Sequence, residues 1–457
     1  MLINLIIPAL ITAGFLVGIH LMQSPRTALW GNRLGALCML LALVFVFLTT
    51  PELRNSIAWL YLLFGGIAGI AMGQKIKMIQ MPQAVALLNG FGGGASALVA
   101  GTAMAIGAAA STPWLFWFTA ALALAIGTLT FSGSLVAALK LQGWISQRPQ
   151  IIGGHSIILF LLLLIGLFLV LLVSFTGTTA YLLLVIAVFI CYGLLMAVRV
   201  GGADMPVIIS FLNSLSGVAA SVSGLAVGNI LLAGVGALVG VAGMILTQLM
   251  CRAMNRNLFA VLGGFRTVVL PISPADADEK VSGNKSALTV EHIPALLNEA
   301  QKIVIVPGYG MALAQAQQAV KELADALESR GKEVKMAVHP VAGRMPGHMN
   351  VLLAEVGIDY DKLYDMEAIN PLFSETDLVI VIGACDVINP AASTAEGTPI
   401  YGMPILKAFE ATHIIVCNLD EKPGYSGVEN TLYLRGNVVT LWGNAAETVP
   451  GLTAAII

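Results

Sequence analysis

The sequence predicts a multi-pass α-helical membrane bundle followed by a Rossmann-like α/β domain with a doubly wound parallel sheet. Three observations carry this. Hydrophobic residues make up 58% of the 457 residues and charged residues only 11%, against roughly 45–50% and about 25% in ordinary globular proteins. The charge is also segregated: Ala84–Leu139 holds no Asp, Glu, Lys or Arg, whereas the chain from Asp276 onward has the texture of a soluble protein. In that second half, apolar runs alternate with stretches of helical periodicity. A net charge of -2 with no basic stripe gives no sign of nucleic acid, and no such partner is expected. Cys38, Cys191, Cys251, Cys385 and Cys417 have no metal-ligand or disulfide spacing. No metal site and no cleavable signal peptide are expected, since "MLINLIIPAL" lacks a basic leading region.

A membrane span needs about 20 mostly apolar residues. The candidates are Ile3–Met22, Gly31–Thr49, Asn55–Gly73, Pro82–Ala109, Trp114–Leu139, His155–Ser174, Thr178–Val198, Met205–Val227 and Asn229–Arg252. An odd count of about nine helices puts the termini on opposite sides. Alternate loops collect Arg26 and Arg33, Lys75 and Lys77, Lys140 and Arg148, Arg199, then Arg252 and Arg256; the opposite loops, near Pro51, Ser111, Thr176 and Gly228, hold only Arg54. Cytoplasmic loops carry the excess of Lys and Arg. The N-terminus is therefore expected outside and the C-terminal domain in the cytoplasm.

Small-residue runs such as "GFGGGASALVAG" and "GVGALVGVAG" suit close helix packing in lipid. The few polar groups say more. Asn89 and Asn213 sit inside apolar spans, where an amide needs a neighbouring helix or a water-filled cavity. No span carries a charged group at mid-depth; His20, His155 and Asp204 fall at the expected cytoplasmic ends.

The expected division is a transmembrane domain over 1–254, a linker over 255–285 and a nucleotide-binding domain over 286–457. "PISPADADEKVSGNKS" has linker composition. Beyond it, "KIVIV", "VKMAV", a shorter run near "DKLYDM", "DLVIVIG", "HIIVC" and "VVTLW" read as buried parallel strands. Ala312–Arg330 reads as one helix, with Leu313, Ala316, Val320, Leu323 and Leu327 on its apolar face. In a doubly wound sheet the ligand sits at the carboxyl ends of the strands. The candidate loops are Gly308–Ala312, His339–Gly347, Gly383–Pro390 and Asn418–Gly427.

Gly308-Tyr309-Gly310 supplies two glycines of the dinucleotide fingerprint, but Leu313 stands at the third position. The second strand ends in His339-Pro340, without the carboxylate that grips a ribose diol in an ordinary NAD site. The next loop, "VAGRMPGHM", offers Arg344 and a run of backbone amides, which suit phosphate.

Together, "GGADMPV", "CRAMNR", "PGYGMA", "HPVAGRMPGHMNVLLAE", "GACDVINPAA" and "GYSGVEN" closely resemble the beta subunit of the proton-translocating nicotinamide nucleotide transhydrogenases, over essentially the whole chain. The resemblance implies hydride transfer from NADH to NADP+ coupled to proton movement across a bacterial inner membrane. It implies NADP(H) on this chain in a reversed pose, NAD(H) on a separate alpha subunit with further transmembrane helices, and a dimer of alpha–beta units. Nucleotide contacts carry over to Gly308, Tyr309, Gly310, Met311 and Ala312; to Val341, Ala342, Gly343, Arg344, Met345 and Pro346; to Gly383, Ala384, Cys385, Asp386 and Val387; to Gly402 and Met403; to Asn418, Leu419, Lys422, Gly424 and Tyr425; and to Asn444 and Ala445. Asp386 matches an acid near the nicotinamide whose state couples occupancy to protonation. Asn213 matches a proton-channel position, and Asp204 lies where the bundle signals to the domain.

The chain departs from the family pattern in three places. Asn89 stands where many members have a titratable His, so a His on a partner helix is expected to supply the relay. Asn418 and Leu419, followed by Asp420 and Glu421, replace the usual Lys-Arg pair for the 2'-phosphate, and Asn444 replaces an Asp. The alternative from another class is a secondary transporter or channel with a dinucleotide-sensing domain. These spans offer amides, not the charged or broken-helix site such transporters place at mid-membrane.

Overall fold

The computed structural model describes residues 3–49, 57–107, 113–146, 149–263, 288–345, 347–396, 398, 400–424 and 426–456. Arg54, Arg148, Pro346, Tyr425, the loops at Pro51 and Ser111, and the linker from 264 to 285 lie outside the described residues. The chain divides into two compact units, Met1–Thr247 and Gln248–Ile457.

Long helices dominate the first unit: α1 (Ile3–Leu21), α2 (Pro25–Thr49), α3 (Ile57–Lys75), α4 (Met81–Gly107), α5 (Trp114–Gln142), α6 (His155–Thr176), α7 (Leu182–Arg199), α8 (Met205–Ala226) and α9 (Ile230–Ala253). Among the described residues, α2 to α9 give 8 helices long and apolar enough to cross a membrane, and α1 adds the shorter apolar run Leu5–Leu21. Helix α5 is the hub, packed against α4, α6, α7 and α8. Its buried positions are mostly Ala, Gly, Ser and Thr, which let backbones approach closely where lipid removes any hydrophobic drive between helices. At Gly93 on α4 a Cβ would stand 2.9 Å from Gly127 O on α5. Helix α6 is instead rich in Leu and Phe, and most of them are exposed for lipid. Gly143, at φ +83, ends α5 in the left-handed region and donates to Leu139 O and Lys140 O.

Lys140 and Arg199, expected in loops, are instead buried in the last turns of α5 and α7. The reason is tertiary. Lys140 Nζ donates to Val198 O at 2.5 Å and Val200 O at 2.8 Å, neutralising carbonyls that the end of α7 leaves open.

The second unit runs α10 (Leu258–Gly263), α11 (Ile293–Glu299), β1 (Lys302–Pro307), α12 (Tyr309–Leu313), α13 (Gln317–Ser329), β2 (Glu333–Ala337), α14 (His348–Glu355), β3 (Leu363–Tyr364), α15 (Met366–Ile369), β4 (Leu378–Ile382), α16 (Ala391–Thr394), β5 (His413–Asn418), β6 (Val438–Trp442) and α17 (Ala445–Ala454). The strands form one parallel sheet in the order β3-β2-β1-β4-β5-β6. The chain's direction across the sheet reverses between β1 and β4, where Ile303 pairs with Leu378 and Pro307 with Ile382. The central strands are buried along nearly their whole length, as helices on both faces require. Val304, Val306, Val379, Val381, Ile414 and Val416 pack on Phe373, Leu406 and Leu432. Helices α13 and α17 lie together and bury Val320, Leu323, Leu327, Val449 and Leu452.

The helix expected over Ala312–Arg330 is broken. Gln315 takes a left-handed φ of +53, and the Ala316 amide returns to Met311 O at 3.0 Å. The kink buries Met311 and Ala312 and turns Leu313 out to 58% exposure. Leu313 therefore belongs to no apolar face.

Candidate functional site

The carboxyl ends of β1 and β4 are joined through their glycines. The Gly308 amide donates to Ile382 O and the Gly310 amide to Gly383 O, each at 2.8 Å. A Cβ on Gly310 would stand 2.7 Å from Gly383 Cα, and Gly383 itself holds φ +69. Only glycine allows both the backbone contact and that conformation. This is the reversal point of the strand order, where open α/β sheets take their ligands.

After β2, the loop is held by two histidines. His339 accepts the Val341 amide at Nδ1 (3.3 Å) and bonds Pro404 O through Nε2 (2.9 Å). His348 Nδ1 accepts the Arg344 amide at 3.2 Å. Burial pushes both imidazoles down to about 4, against the Pro404 bond for His339 and aided by Arg344 for His348. Both are neutral structural clamps. They leave the half-buried Arg344 with its Cζ 4.7 Å from the centre of the Tyr309 ring. Val341, Gly343 and Met345 are half-buried along this loop, and Ala342 is buried.

After β4, Ala384 and Cys385 lead to Asp386 and Val387, which open a short 3-10 turn. Asp386 Oδ2 accepts the Ser426 amide at 2.9 Å and Oδ1 accepts the Ser426 hydroxyl at 2.7 Å. A Cβ at Gly424 would lie 2.7 Å from either carboxylate oxygen. The loop after β5 thus rests directly on Asp386. Beneath it, Asn418 Nδ2 donates to Ala384 O and to Tyr433 Oη, both at 2.8 Å, and Asn430 Nδ2 donates to Cys385 O at 3.0 Å. Tyr433 Oη lies 3.6 Å from Cys385 Sγ. Burial, and then Asp386, raises the Cys385 thiol; burial raises the Tyr433 phenol.

The expected residues therefore separate. Gly308, Tyr309, Gly310, Arg344, Gly383 and Asp386 line neighbouring strand ends. Gly402 donates its amide to Ala392 O at 2.8 Å, and Met403 packs against Ala391, Ile400 and Ile405. Asn418 is buried and turned inward, Leu419 is 74% exposed, and Lys422 is paired with Asp420 at 2.9 Å. Asn444 is the N-cap of α17, accepting the Ala446 amide at 3.1 Å ahead of buried Ala445. Ser426 falls within the expected Asn418–Gly427 loop but without an assigned role, and Asn430 and Tyr433 lie beyond it. Their one signal is a hydroxyl just before Gly427 and an Asn three residues before a Tyr.

In the membrane unit, Asn89 on α4 donates through Nδ2 to Ile209 O on α8 at 3.2 Å and is buried. Asn213, one turn further along α8, is half-buried, and its carbonyl accepts Ser216 Oγ at 2.7 Å. Asp204 is half-buried at the start of α8. Hydroxyls continue the polar face of α8 towards α9: Ser210 Oγ to Gly243 O at 3.3 Å, and Ser214 Oγ to Gly240 O at 2.7 Å. Among the described residues no group of His, Cys, Asp and Glu has the geometry of a metal site. A cavity of about 140 Å³ between Lys302, Glu333, Lys335 and Glu375 lies at the amino ends of β1 and β2, away from these loops.

Residues 6–455 match the family model described as NAD(P) transhydrogenase beta subunit. Two Rhodospirillum rubrum proteins named NAD(P) transhydrogenase subunit beta are each 41% identical over 467 aligned positions, covering 99% of this chain and 99% of theirs.

Proposed function

We infer the function of this chain from one premise: it belongs to the NAD(P) transhydrogenase beta subunit family. It is a membrane protein, one subunit of a proton-translocating NAD(P) transhydrogenase that acts with an alpha subunit. Membership gives no support to a transporter with a sensing domain.

On this premise the domain over 286–457 holds NADP(H), and the alpha subunit holds NAD(H). The observation that carries the reading is the Arg344 guanidinium stacked on Tyr309 beside the β1 glycine turn, on a loop that offers a neutral His339 in place of a ribose-binding carboxylate. A cation held beside a glycine turn fits a phosphorylated dinucleotide. Its nicotinamide supplies the hydride chemistry when bound. This chain's residues position it: the Gly308–Gly310 turn and Gly383 let the backbone approach, Arg344 grips phosphate, and Asp386 with the 424–427 loop closes the nicotinamide end. Direct hydride transfer needs positioning more than acid–base catalysis.

In the transmembrane domain over 1–254, Asn89 and Asn213 hold water or hydrogen bonds along the proton path, since an amide takes no proton at accessible pH. A titratable group on an alpha-subunit helix completes the relay. Asp204, at the cytoplasmic end of α8, and the linker over 255–285 pass the protonation state to the nucleotide domain, a free energy shared by two sites. The N-terminus faces outside and the nucleotide domain the cytoplasm of a bacterial inner membrane, with two alpha–beta units forming a dimer.

The test is hydride transfer from NADH to an NADP analogue in vesicles holding both subunits. Uncoupler-sensitive transfer is expected, and its absence overturns the coupled reading. Equal affinities of the assembled complex's second site for NADPH and NADH would overturn NADP(H) selectivity.

A further inference from the structure

Ser426 makes two donations to one carboxyl group. Its amide donates to Asp386 Oδ2 at 2.9 Å and its hydroxyl to Oδ1 at 2.7 Å. On its far side Ser426 Oγ accepts the Val428 amide at 3.1 Å. An amide hydrogen can only be given, so one of the two Oγ lone pairs accepts there and the hydroxyl proton stays available for Asp386 Oδ1. Both carboxyl oxygens thus act as acceptors, which an ionised Asp386 satisfies completely. A proton on Oδ2 opposes the Ser426 amide. A proton on Oδ1 makes the hydroxyl turn its own hydrogen away, so its donation to the carboxyl group is lost. The Gly424 backbone lies close against the carboxylate, so the loop senses either protonation.

We propose that Ser426 is a positioning residue that clasps the 420–427 loop onto ionised Asp386, and that its hydroxyl sets the pH at which the loop releases the nucleotide. This rests on reading Asp386 as a residue at the nicotinamide end of the NADP(H) site. Among the described residues, the titratable groups beside it include the Cys385 thiol and, beyond it, the Tyr433 phenol. Both are raised and stay neutral as the pH falls, so neither competes with the carboxyl for the switching role. The serine contributes what a backbone amide alone cannot: a second donor to the charged form, which favours ionisation.

The test uses the full chain assembled with its alpha subunit in vesicles, following the fluorescence of bound NADPH as pH is lowered. Ser426→Ala keeps the amide bond and loses the hydroxyl, so its release midpoint is expected about one pH unit above that of the unsubstituted chain. Ser426→Thr restores the hydroxyl and the original midpoint. Asp386→Asn removes the pH step. Identical midpoints for Ser426→Ala and the unsubstituted chain overturn the role of the hydroxyl while leaving the Asp386 reading intact. An unchanged pH step in Asp386→Asn overturns that reading and this inference together.

Discussion

The guanidinium of Arg344 lies over the ring of Tyr309, 4.7 Å from Cζ to the ring centre. One residue comes from the loop after β2 and the other from the turn after β1, so the contact bridges two strand ends and presents a single positive charge there. Arg344→Gln is expected to raise the Kd for NADPH about 10- to 100-fold, the worth of a charge-assisted hydrogen bond. The Kd for NADH should change far less. Fluorescence titration of the assembled complex measures both, and parallel losses would show that Arg344 reads something other than the extra phosphate.

Gly383 holds φ +69 with its Cα against Gly310, where a Cβ would stand 2.6 Å from Gly310 Cα. Gly383→Ala must strain the backbone and push the two turns apart. The expected cost is about 3 kcal/mol of stability, read as a lower unfolding temperature of the nucleotide domain in the full chain. A variant as stable as the unsubstituted chain would mean that the two turns part freely.

Lys422 is the one cation in the "NLDEK" stretch, and Asp420 engages it at 2.9 Å. Each draws the other further into its charged form, yet the pair is exposed and screened. Asp420→Ala frees the ammonium and removes a nearby negative charge. NADPH affinity is expected to rise about two- to five-fold at low salt and to return towards its starting value at high salt. No change at low salt would place the phosphate elsewhere.

His339 and His348 titrate near 4 in the folded protein because burial disfavours their charged forms, against about 6.5 in an unfolded chain. Between those values the unfolded state binds protons that the folded state refuses. Their neutral clamps therefore hold in full above about pH 6.5 and weaken progressively as pH falls towards 4, by on the order of 3 kcal/mol per histidine at the lower limit. Unfolding midpoints measured from pH 7 to 4 should fall accordingly. His348→Asn, which keeps an acceptor for the Arg344 amide, should remove part of the slope.

The six strands were legible because runs such as Ile303–Val306 and Leu378–Ile382 are branched, apolar and buried on both faces. The four loops of the site follow directly from where those strands end. What escaped reading depends on distant contacts. The break at Gln315 comes from the Ala316 amide returning to Met311, not from a helix breaker. Lys140 looks like a loop cation until the carbonyls of Val198 and Val200 are brought to it by the fold. Ser426 is an ordinary loop hydroxyl by composition, and its partner is 40 positions away.

The bonds from Gly308 to Ile382 and from Gly310 to Gly383 have a mechanical consequence. Asp386 lies only three residues beyond Gly383, so in the proposed site the glycine turn and the carboxylate belong to one short, bonded piece of backbone. Such a piece acts as a rocker and not as two independent latches: tightening at one end is delivered to the other instead of being absorbed between them.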